Sequence, residues 1–197
     1  MHDCAAPEYR GGYFTNFLAA LACLLGAVVG APAMSHAGSA ATEFQRAPGT
    51  MQPAFALRDS TGTEVALAAT PGQIVLVHFF ATWCEPCRDE LPALNRMAAR
   101  SQGTVRVLAI SVDEADLRVR RFLESMPLAF PVLLDRDRAV AKGWNVSTLP
   151  TTFVLDANLR PHFIVETDFA WDGIDPRKLV NDVNAQPTPP KSTPLGG

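Results

Sequence analysis

The run Ile74-Val75-Leu76-Val77-His78-Phe79-Phe80 passes without a break into Ala81-Thr82-Trp83-Cys84-Glu85-Pro86-Cys87. A strand that is apolar at successive positions, rather than at alternate ones, belongs in a sheet covered on both faces. From about Pro86 to Arg100 the period changes, and Leu91, Leu94, Met97 and Ala98 mark one face of a helix. Two cysteines therefore sit where a buried strand hands over to a helix. Downstream, strands alternate with helices: a strand over 105–112, a charged helix over 114–125, a strand over 130–134, and a short helix over 138–143. A hairpin over 151–156 and 159–165, turning at Ala157-Asn158, and a helix over 176–183 complete the series. Upstream, residues 55–59 and 64–67 flank Ser60-Thr61-Gly62-Thr63 and read as a hairpin. The pattern predicts an α/β fold with a central mixed β-sheet flanked by helices.

The two ends read differently from this middle. From Phe17 to Met34 the chain is uncharged and apolar, so residues 1–37 are expected to be a signal peptide or a membrane anchor. Cleavage after Ala37 is favoured over retention, with Ala31-Pro32-Ala33 a second candidate site. Either outcome places the domain outside the cytoplasm, as a periplasmic protein in an oxidising compartment. Residues 38–49 read as a linker and 50–185 as the folded domain. Residues 186–197 form a Pro-rich tail, expected to be disordered or extended. A net charge of −3 supplies no basic field for nucleic acid.

Cys4 and Cys23 lie in the N-terminal segment, which leaves Cys84 and Cys87 as the cysteines of the domain. So short a loop staples a fold poorly, and the pair reads as chemical. Thiolate is the attacking species in disulfide exchange, and the mouth of a helix favours the anion. Two intervening residues place Cys87 one turn deeper, within reach of a disulfide with Cys84. Cys84 is then the nucleophile and Cys87 the resolving thiol. Pro86 suits a first helical turn, and the anionic Glu85 opposes the thiolate. The same spacing is half of a zinc site, but the sequence holds no second cysteine pair to complete one, and metal ligands are not predicted.

These residues resemble the thioredoxin superfamily, and most closely its TlpA/ResA-like group of exported thiol–disulfide oxidoreductases. The resemblance covers roughly residues 53–183. It rests on VLVHFFATWCEPCRDELP, on an extra βα insertion, and on TLPTTFVLD. It implies a thioredoxin-like fold with that insertion and an N-terminal β-hairpin. It implies that Pro150 is a cis-proline packed against the disulfide, that the backbone of Leu149 pairs with an extended substrate, and that Trp83 flanks the nucleophile. Pro92 matches a kink in the active-site helix, and Glu90 a glutamate that tunes the cysteines. His78 stands where thioredoxin has a buried acid. It could act as a neutral base toward Cys87, as a cation favouring thiolate, or only as core packing. His162 is expected at a surface or edge, and Trp171 in packing.

The resulting expectation is a monomeric protein-disulfide reductase with no organic cofactor. Its substrates would be disulfides of apocytochrome c or of a copper-assembly protein, and its electrons would come from a membrane thiol donor. A Cu(I)-binding metallochaperone using the same cysteines is the alternative. A peroxidase fits less well, because Ala81 stands where a threonine is needed three residues before the cysteine.

Overall fold

In the computed structural model, which describes residues 44–185, every residue of the strand Ile74–Phe80 (β4) is buried. Ile74, Leu76 and Phe80 enter one hydrophobic cluster, and Val75, Val77 and Phe79 enter the other, on the opposite face. Two cores on one strand account for the absence of alternation in its sequence.

In chain order the elements are β1 (Gln45–Arg46), β2 (Ala56–Arg58), β3 (Glu64–Ala66), β4, α1 (Glu85–Arg100), β5 (Val105–Val112) and α2 (Asp116–Ser125). They continue with β6 (Val132–Asp135), α3 (Ala139–Gly143), β7 (Thr151–Leu155), β8 (Pro161–Val165), a 3-10 turn at Trp171–Gly173, and α4 (Pro176–Ala185). The main sheet has the order β1-β8-β7-β4-β5-β6. β4, β5 and β6 run parallel, while β7, β8 and β1 join antiparallel to their neighbours. The mixed sheet is as expected.

Leu91, Leu94 and Met97 of α1, Val119 of α2, and Leu179 and Val183 of α4 cover one face. On the other, Trp144, which follows α3, packs with Phe55, Phe79 and Phe153. Its indole donates to the carbonyl of Pro53 at 3.0 Å, so the buried ring keeps its polar handle satisfied. Each fully buried large apolar side chain of this kind contributes about 1.5–3 kcal/mol. β2 and β3 form the expected separate hairpin. The Asp59 carboxylate receives the amides of Thr61 and Thr63, and Gly62 supplies the positive φ of the turn. The hairpin docks on β6 through the amide of Ser60, which reaches the Val132 carbonyl at 2.9 Å.

Three local outcomes differ from the sequence reading. Gln45 and Arg46, within the residues read as linker, pair with Ile164 and Phe163 of β8. The adjacent Phe44 meets Phe163, Phe169 and Trp171 edge-on. A strand of two residues carries no period to be recognised. Helix α2 begins at Asp116 rather than at Glu114, whose side chain is turned inward. His162 is buried rather than at the surface, and its Nε2 lies 3.2 Å from Asp156 Oδ2. The expected leader at 1–37 and tail at 186–197 lie outside the described residues. Among the described residues no helix is long and apolar enough to cross a membrane.

Candidate active site

Cys84 is the N-cap of α1, with extended backbone at φ −80° and ψ 111°. Its Sγ accepts the amide of Cys87 at 3.3 Å, and its carbonyl accepts the amide of Arg88 at 3.1 Å. Helix N-termini leave amides unpaired, and here a sulfur takes one of them. Pro86 in the first turn has no amide to leave unsatisfied. Cys84 and Cys87 form a disulfide with Cα atoms 5.3 Å apart, as expected. Cys87 is wholly buried and Cys84 nearly so, whereas Trp83 is 62% exposed and Glu85 and Pro86 are exposed.

Beside the disulfide lies a cleft of about 320 Å³, lined among others by Trp83, Cys84, Asp113, Arg138 and Leu149. The Leu149–Pro150 peptide is cis, as expected; Leu149 is half-buried in the cleft wall, and Pro150 is buried just before β7. The buried Asp135 at the end of β6 holds two loops that contribute Asp113 and Arg138 to the cleft. Its carbonyl receives the amides of Asp113 and Arg138, and its carboxylate receives those of Val140 and Ala141 at 3.1 and 2.8 Å.

Behind the cysteines is a second layer of buried polar groups. Glu90, three residues after Cys87, shares its face of α1. The indole of Trp171 donates to Glu90 Oε1. His78 Nδ1 lies 2.9 Å from Thr152 Oγ1 and 3.9 Å from Glu90 Oε1, and its ring stacks on Phe80 with centroids 5.9 Å apart. Burial pushes the His78 pKa down from 6.5 to about 3. Burial thus favours the neutral imidazole, the form in which His78 could serve as a base, and sets it against the carboxyl of Glu90.

Two participants escaped the sequence reading. Glu114, placed there at the start of a charged helix, is buried. It receives the Thr82 amide at 2.8 Å, the Thr82 hydroxyl, and the Ser111 hydroxyl at 2.7 Å. It ties the segment that carries Cys84 to the end of β5. Trp171, assigned to packing, also supplies the hydrogen bond to Glu90. An acid after a strand resembles any helix start, and an indole gives no sequence sign of its acceptor. Among the described residues, no group of three or more His, Cys, Asp or Glu side chains is placed to hold a metal ion.

Residues 48–160, more than half of the chain, match the profile of the AhpC/TSA family. The chain belongs to that family. Among similar AhpC/TSA-type and thioredoxin-like proteins is the thiol-disulfide oxidoreductase ResA of Geobacillus kaustophilus, 40% identical over 114 residues. That match covers 57% of this chain and 65% of the relative. The ResA of Bacillus subtilis is 39% identical over 110 residues, covering 55% of this chain and 61% of the relative. The chain thus spans less than two thirds of the length of these curated relatives. In structure, this AhpC/TSA member resembles a DsbE-type thiol:disulfide interchange protein from Chlorobium tepidum, with a TM-score of 0.62 and 27% identity. That likeness covers 71% of this chain and 99% of the other. StoA of Bacillus subtilis, at 22% identity and a TM-score of 0.55 over 64% of this chain and 95% of its own, shares the fold. The thioredoxin-like architecture read from the sequence is the one found.

Proposed function

We propose that the chain is an extracytoplasmic thiol–disulfide oxidoreductase that reduces disulfides of partner proteins. The observation that carries this reading is Cys84 Sγ at the helix mouth, bonded to a buried Cys87 and opening on a cleft beside the Leu149–Pro150 segment. The Cys84 thiolate attacks a substrate disulfide, forming a mixed disulfide and expelling one substrate thiolate. The Cys87 thiolate then attacks Cys84 Sγ, releasing the second substrate thiolate and leaving the Cys84–Cys87 disulfide. Two electrons pass to the substrate, and the enzyme is left in the oxidised state seen here.

Leu149 offers backbone to an extended substrate segment, with Pro150 next to it, and Trp83 forms the exposed lip. Glu85 and Pro86 form the accessible turn between the cysteines. Glu90 and His78 are the buried groups that tune the pair from behind. The substrates are proposed to be disulfides of apocytochrome c or of a copper-assembly protein. Electrons would come from a membrane thiol donor, and the chain would act as a monomer. The resemblance to ResA-type thiol-disulfide oxidoreductases supports the thiol–disulfide chemistry of the reading.

Equilibration with glutathione buffers and trapping of free thiols measures the Cys84–Cys87 reduction potential. The expected value is near or below that of thioredoxin, about −270 mV. A value near about −120 mV would mark an oxidant and overturn the reductase assignment.

A further inference from the structure

We propose that Trp171 is a positioning residue of the redox centre: through its indole N–H and a clamp on α1, it holds the Glu90 carboxyl beneath the cysteine pair. The inference rests on the thiol–disulfide reading above and adds to it a residue from outside the cysteine motif.

Two independent features converge on it. The first is the hydrogen bond. Trp171 is wholly buried, it donates to Glu90 Oε1, and the two residues are 81 positions apart. The second is that the turn carrying Trp171 is fastened to the helix carrying Glu90. Arg96 of α1 donates to Asp172 Oδ2 through Nε at 3.1 Å and through its guanidinium end at 2.5 Å. Arg100, one turn further on, reaches the carbonyls of Asp172 and Ile174 at 2.8 and 3.2 Å. These bonds pin the turn that carries the ring to the helix that carries its acceptor. Phe44 and Phe169 meet the ring edge-on and limit its rotation.

The consequence is electrostatic. A donor aimed at a buried carboxyl favours its charged form, which would disfavour a thiolate in the cysteine pair at the start of the same helix. The titratable groups around Glu90 are His78 from β4, the two cysteines from its own helix, and Asp172 beside Trp171. Asp172 is turned to Arg96, and burial favours the neutral form of His78.

The test combines two readouts on the full chain. In the oxidised protein, the Trp171 indole N–H resonance should titrate with a carboxyl, and that titration should vanish in Glu90→Gln. An indole shift that is flat with pH overturns the proposal without need of a Trp171 variant. In the reduced protein, alkylation by iodoacetamide is followed against pH. Trp171→Phe keeps an aromatic ring among Phe44 and Phe169 but removes the donor. Its thiol profile should move toward lower pH by about half to one unit, a three- to tenfold gain in thiolate below the midpoint. A folded variant with the native profile reduces Trp171 to packing. The native chain's mixed-disulfide formation with oxidised glutathione is scored alongside. Its absence would sink the oxidoreductase reading itself, whereas its presence with an unchanged Trp171→Phe profile sinks only this proposal.

Discussion

A neutral histidine wholly buried in the central strand should make the protein sensitive to acid in a calculable way. The unfolded chain binds a proton at His78 near pH 6.5, whereas burial holds the folded-state value near 3. Below pH 6.5 the unfolded state therefore carries the extra proton, so stability is retained above 6.5 and lost as pH falls toward 3. One pH unit corresponds to about 1.4 kcal/mol per proton. Between pH 7 and pH 4 the loss from this group alone comes to about 3 kcal/mol, a large part of a typical domain's stability. The perturbation is His78→Asn, whose amide can still face Thr152. Removing the ring leaves a void and a penalty that does not depend on pH, and carboxylate titrations shared by both proteins cancel in the difference. Urea unfolding of the oxidised chains, followed by fluorescence from pH 4 to 7, gives the stability of each. The native advantage over His78→Asn should shrink by about 3 kcal/mol as pH falls across that range. A difference that stays constant would mean that His78 is protonated in the folded protein and paired with Glu90, and the argument from burial would be wrong.

Two further substitutions test the supports of the cleft. Glu114→Ala strands the Thr82 amide, the Thr82 hydroxyl and the Ser111 hydroxyl in a buried site, and should cost about 2–4 kcal/mol by urea titration. It should also slow disulfide exchange at Cys84, two residues from Thr82; a variant as stable and as fast as the native chain would contradict the anchoring role. Asp135→Ala removes the acceptor of the Val140 and Ala141 amides and should lower stability by about 1–2 kcal/mol. Hydrogen exchange at those two amides reports it directly, and unchanged protection would show that the carboxylate does not hold α3.

Much of the molecule was legible in one dimension because its elements are locally periodic. The bounds of β4 and β5 follow from mainly apolar runs, and α1 follows from the spacing of Leu91, Leu94 and Met97 behind a proline in the first turn. The disulfide pair was legible for a related reason. Its chemistry depends on three residues of spacing at a strand–helix junction, and a junction is a local feature. The cis bond at Leu149–Pro150 was foreseen only through family resemblance, since nothing in the neighbouring residue types demands it.

By itself, then, the sequence determined the alternation of strands and helices, the two-sided burial of β4, and the pairing of Cys84 with Cys87. Tertiary structure alone decided what surrounds that pair. Glu114 is brought to Thr82 across 32 positions, Thr152 to His78 across 74, and Trp171 to Glu90 across 81. Each of these residues resembles an ordinary helix start, strand residue or aromatic filler until the sheet closes. The physical reason is that a side chain's partner and desolvation are properties of the packed core. His78 is an ionisable residue in the sequence, and the fold pushes its pKa down because water has been excluded from all of its ring.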